Sequence, residues 1–223
     1  MDTTHISNEV GGYLLEAYST GETMHAVECL AGAGAVLGFL CQMQARARLK
    51  AGEYRDLKDA LVEVQTKDGQ KLYFGQAVND CVLGEITGLG LWNYAAGAAD
   101  DPDIAETVKL EEIFHYVAAT VGEPWFGQPR VPEGLTLQGR PVDAVARHAK
   151  VIHDRMLFHA LDPRQLTKIY GAAAHQLIRG AAGEIPWGAD PLVNKIDGLK
   201  LFMECAAPMS KLDPRPFGID PLV

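Results

Sequence analysis

The chain has 223 residues, 48% apolar and 22% charged, with a net charge of -9. Such a composition can bury a sizeable core, which excludes an intrinsically disordered chain. The acidic balance argues against a nucleic-acid partner, because phosphate binding needs a basic face, and the densest basic stretch is only Arg46, Arg48 and Lys50.

The first residues (Met1, Asp2, Thr3, Thr4, His5) are polar and do not read as a signal peptide. The most apolar run, Leu30 to Cys41, is shorter than the about 20 residues that a bilayer span needs. Cys29, Cys41, Cys81 and Cys205 form no CxxC pair and read as buried free thiols. Together these features predict a cytoplasmic protein with no membrane and no nucleic-acid partner.

Ser19 and Glu22 have capping-box spacing, and an apolar pattern follows, so residues 20–49 read as one long helix. Gly32, Gly34 and Gly38 lie in its interior, where each glycine costs roughly 1 kcal/mol relative to alanine. They are tolerable only if other backbones press closely, so this helix is either central or packed on a second copy of itself. Residues 61–66 and 70–74 alternate apolar and polar about Asp68-Gly69 and predict a β-hairpin. Two strands alone are marginal, so the hairpin needs helices or another strand, from this chain or a second subunit. Residues 76–99 read as helix in two pieces.

Asp-Pro occurs five times, and Asp101-Pro102, Asp162-Pro163 and Asp190-Pro191 stand where helical patterns begin. Aspartate accepts from the first-turn amides, and proline fills a position that needs no amide. Helices are therefore expected near 102–121, 142–160, 163–182 and 191–206. Leu110, Ile113, Phe114, Val117, Ala118 and Val121 form the stripe of the first. Leu192, Ile196, Leu199, Met203 and Ala206 form that of the last. Residues 208–223 read as an extended proline-rich tail. The fold class is thus mostly α, a multi-helix bundle of about six or seven helices with one hairpin near 61–74, as a single domain over 1–223. A subdivision would fall near residue 100, at Ala99-Asp100-Asp101-Pro102.

Sequence motifs for chemistry are sparse. Ser7, Ser19 and Ser210 sit in no nucleophile elbow. Gly32-Ala33-Gly34 follows no strand, so a dinucleotide loop is not indicated. Asp101, Asp103 and Glu112 imitate a calcium loop, but Glu106 stands where glycine is required. Glu22/His25 and Glu112/His115 repeat the Glu-x-x-His spacing of di-metal bundles. Glu112 falls opposite its apolar stripe and Glu22 is explained as a cap, so these four are set aside as metal ligands and no cofactor is identified.

His153 falls on the apolar face with Val142, Ala146, Ala149, Met156 and Ala160. It is either a core histidine hydrogen-bonded to a carbonyl or a pocket residue that titrates near neutrality. His148 and His175 lie off their stripes and are expected to be exposed. Trp125, Phe126 and Trp187 fall in inter-helix loops with Glu123 and Glu184 nearby, at what an up-down-up arrangement would make one end of the bundle. Loop aromatics suit ligand or partner binding or cap the core. The resulting expectation is a self-associating protein that binds a small apolar ligand or a protein partner. The alternative is an enzyme with a His153-centred, metal-assisted pocket.

Overall fold

The computed structural model describes residues 2–55 and 57–221, and they form a mostly helical body with one small antiparallel hairpin, the class that the periodicity predicts. The chain opens on α1 (Thr3–Ala17), capped by Asp2, whose carboxylate accepts from the Thr4 amide at 2.9 Å. Ile6, Val10 and Leu14 are its buried stripe.

The long helix starts later than the capping signal suggests. Ser19–Thr20 (β1) and Thr23–His25 (β2) pair antiparallel through a turn in which Gly21 has φ +60°. Ser19 Oγ donates to the Leu15 carbonyl instead of capping a helix, and Glu22 lies in the turn. α2 then runs over Ala26–Lys50 and is buried for most of its length. It is long and apolar enough to cross a membrane, and 94% of its most apolar stretch is buried inside the protein.

The hairpin is β3 (Val62–Gln65) and β4 (Lys71–Phe74), in the register Val62 to Phe74 and Val64 to Leu72. The tail supplies its third partner: Leu72 bridges Leu212, and the Tyr73 amide donates to the Lys211 carbonyl at 2.7 Å. α3 (Gln76–Leu83) and α4 (Leu91–Ala96) are the two pieces expected over 76–99.

The helix expected over 102–121 is broken. α5 (Ile104–Val108) and α6 (Leu110–Ala119) meet at Lys109, whose φ of +58° ends one helix and starts the next. Ala118 faces solvent, while Ile113 and Val117 are buried. α7 (Pro141–Ala144), a π-helical turn (Val145–Ala149) and α8 (Lys150–Phe158) run on without interruption. The π turn inserts an extra residue into the helical repeat, which moves the apolar stripe. Val145, Ala149, Ile152 and Met156 are buried, Ala146 and Ala160 are exposed, and His153 stands on the flank rather than on the face expected for it.

α9 (Pro163–Ala181) begins as its Asp-Pro pair predicts, with the Asp162 carboxylate accepting from the Arg164 amide at 2.9 Å. Asp190-Pro191 fails as a start signal. Ala189–Asp190 (β5) pairs parallel to β2, and α10 (Lys195–Met209) begins four residues past Pro191, capped by Asn194. Leu192 therefore lies outside the helix and is 66% exposed. Pro208 belongs to α10, so the tail begins at Ser210; it buries Leu212 and Ile219, and residues 222–223 lie outside the described residues.

α2 packs chiefly on α10, then on α9 and α3, with α1 and α4 each laid along α9. The glycines explain the closeness of the first contact. A Cβ at Gly34 would lie 2.2 Å from the Phe202 carbonyl oxygen, and one at Gly38 2.3 Å from that of Ala206. Gly32 makes room for the Tyr18 ring. The glycines and the hairpin are thus all partnered within the chain.

Candidate functional site

The structure disperses the aromatic cluster expected at one end of the bundle. Phe126 is half-buried near the C-terminal end of α10, where Gly127 meets the Met209 methyl. It lines a cavity of about 340 Å³ with Leu137, Val142 and Met209. Trp125 is 46% exposed, and Glu123 is exposed. Trp187 lies near the other end of α10, its ring against Gly180 of α9, and Val193 beside it ties the start of α10 to Ala181. Glu184 accepts from Arg179 at 2.6 Å and pairs with Lys195 at 2.8 Å. α2 packs against both α9 and α10, which also touch each other.

The metal candidates remain apart as well. His25 Nε2 lies 2.9 Å from Thr20 Oγ1, Glu22 is exposed in its turn, Glu112 pairs with Lys109, and His115 is exposed on α6. Among the described residues no three His, Cys, Asp or Glu side chains form a group that could hold a metal ion.

Two histidines are less exposed than expected. His148 is wedged between Tyr13 and Tyr18 with its Nδ1 3.0 Å from the Tyr13 hydroxyl, and His175 approaches the Tyr94 carbonyl at 3.3 Å. The π turn carries His148 inward; His175 is met by α4, which no pattern on α9 reveals.

His153 is where chemistry and cavity coincide. It lines a pocket of about 110 Å³ built from three helices and the link between α8 and α9. α2 supplies Met43 and Ala47, α8 supplies Met156 and Leu157, and α9 supplies Leu166 and Tyr170. Gln44, which donates to the Pro163 carbonyl at 2.8 Å and to Thr167, pins the start of α9 to α2 and fixes the pocket's width. Apart from His153 and the Tyr170 hydroxyl the lining side chains are apolar, and no carboxylate or thiol is among them.

His153 is half-buried, and among the described residues none hydrogen-bonds its ring. Burial lowers its pKa below the usual 6.5; Lys150 acts in the same direction and Asp154 opposes both. At neutral pH the ring is therefore uncharged, with one donor and one acceptor nitrogen. Because the folded state resists protonation, the stability linked to His153 is fully present above pH 6.5 and is lost as pH falls below it through the lower pKa of the folded state. His153→Phe is expected to flatten part of the decline in stability on acidification, measured by denaturant titration between about pH 7 and pH 5. His148, also lowered by burial, contributes in the same direction. An unchanged profile would show that His153 is as well solvated as in the unfolded chain.

No protein-family model, curated protein or solved structure matches this chain.

Proposed function

We propose that this protein binds a small, mostly apolar molecule in the His153 pocket, with the neutral imidazole hydrogen-bonding its single polar group. The observation that carries the reading is an imidazole with no hydrogen-bond partner among the described residues, in a cavity whose other walls are apolar save for Tyr170. A dry, closed cavity of about 150 Å³ takes a benzene ring, so a pocket of about 110 Å³ edged by exposed Leu157 and Ala160 suits a ligand of about six or seven heavy atoms, such as a short-chain alcohol or phenol. At that size the affinity expected is about 0.1–1 mM. Asp154 is ion-paired to Lys150 and is not among the pocket's walls, so no carboxylate orients the ring for acid–base catalysis.

Phenol at ten times its Kd is expected to stabilise the fold by about 1.4 kcal/mol, or raise Tm by about 3–6 °C. Benzene, lacking the hydroxyl, should do less. Ala47→Phe, which fills the cavity, should abolish both effects. Equal responses in wild type and Ala47→Phe would place the binding elsewhere.

A further inference from the structure

Lys211 is a buried ammonium, 2% exposed, at the start of the tail. Its backbone is held on both sides: the amide donates to the Pro208 carbonyl at 3.0 Å, and the carbonyl accepts from Tyr73 at 2.7 Å. Its Nζ donates to Asn79 Oδ1 at 3.1 Å and lies 5.7 Å from the centre of the Phe74 ring. Among the described residues no carboxylate stands within ion-pair distance. Stability gives no reason for this arrangement, since a methionine would fill the volume without a desolvated charge.

Asn79 faces two ways. It holds the ammonium, and it lines a cleft of about 400 Å³ between α3 and α6. Leu83, Leu110 and Phe114 give this cleft apolar walls, and Glu85 and His115 bring groups that exchange protons. The cleft is separate from the His153 pocket and shares no residue with it.

We propose that Lys211 is a nucleophilic amine that condenses with the carbonyl of a small aldehyde or ketone held in this cleft, reached when the Asn79 side chain rotates aside. The nitrogen lone pair forms the C–N bond while the carbonyl π pair moves to oxygen, which takes a proton from nitrogen. The resulting hydroxyl leaves as water with the second amine proton, and an imine remains. Glu85 and His115 are placed to relay these protons. Burial supports the reading: it brings the Lys211 pKa down to about 8, with Glu85 and Cys41 pulling the other way and outweighed.

The test is reductive trapping on the full-length native protein. Butanal and sodium cyanoborohydride are added at about pH 8, and the labelled lysines are located by peptide mass. An amine that titrates near 8 has about a hundredfold more free base there than an ordinary lysine. Labelling of Lys211 is therefore expected to run about tenfold or more ahead of exposed Lys58 and Lys67, even after the cost of access, and to reach half its maximal rate near pH 8. Asn79→Ala should speed labelling at Lys211 and leave Lys58 and Lys67 unchanged. Labelling of the exposed lysines with Lys211 untouched in the folded protein would overturn the proposal. So would an Asn79→Ala variant that labels Lys211 no faster than wild type.

Discussion

Replacing Asp80 with alanine is expected to destabilise the protein by about 3–5 kcal/mol, as removal of one partner from a buried ion pair does. Asp80 is fully buried on α3 and ties it to three other segments at once. Its Oδ2 accepts from Arg48 at 3.1 Å, at the end of α2, and from the Tyr54 hydroxyl at 2.6 Å. Its Oδ1 accepts from the Ile86 and Thr87 amides, each at 2.8 Å, in the link to α4. Burial alone would raise its pKa, but the hydrogen bonds from Tyr54, Thr87 and Ile86 outweigh it, so the carboxyl sits below its usual 3.8. Removing it leaves a buried guanidinium with one carboxylate in place of two and strands two amides. Arg48 keeps Glu53 at 2.8 Å, which in turn holds Arg164 at the start of α9, so the loss stops short of complete unfolding. Asp80→Asn retains the size but lacks the charge and half the acceptors, and should lose less. A loss under about 1 kcal/mol for alanine, by urea denaturation, would show that the network is ornamental.

Alanine at Gly34 or Gly38 is expected to destabilise by about 1–3 kcal/mol each. The sign is the informative part. In an open helix the same change stabilises by roughly 1 kcal/mol. Here the added methyl would meet the backbone of α10 at 2.2 or 2.3 Å, and a carbonyl oxygen cannot move aside as a flexible side chain can. The two helices must separate, and Phe39, Phe202 and their neighbours lose contact together. Gly12, with nothing within 4 Å of its Cβ position on α1, is the control and should accept alanine with a gain. Stabilisation at Gly34 or Gly38 would refute the close α2–α10 packing.

Those glycines also show what one chain reveals by itself. Three glycines in an apolar helix point to a close backbone neighbour, and for Gly34 and Gly38 that neighbour is found, while Gly32 faces the Tyr18 ring; that the neighbour is α10 is not legible, because it lies more than 150 residues away. The hairpin and the start of α9 were legible because their signals are local: Asp68-Gly69 at a turn, Asp162-Pro163 at a cap. Ser19/Glu22 and Asp190-Pro191 carry the same kind of signal and mislead. Gly21 allows a turn at Ser19–His25, and the resulting strand recruits Ala189–Asp190 before any helix can start there. The π turn is invisible to a fixed 3.6-residue repeat, so the face of α8 was misjudged by one register. His153 was visible as a polar residue amid an apolar pattern. Its pocket was not, because Met43, Ala47, Leu166 and Tyr170 arrive from two other helices. Lys211 gave no signal at all: it stands in a segment that reads as tail, and only the β-bridge at Leu212 reveals that the segment is internal.

The assignment of the ligand site is tested most directly by labelling the methionine methyls with ¹³C and titrating phenol while recording their NMR shifts. Met43 and Met156 line the His153 pocket, Met209 lines the cavity beside Phe126, and Met24 and Met203 lie in the core. Saturable shifts are expected at Met43 and Met156 with a midpoint of about 0.1–1 mM, and none of comparable size at Met209. A response at Met209 with Met43 and Met156 silent would move the site to the Phe126 cavity and contradict the role given to His153.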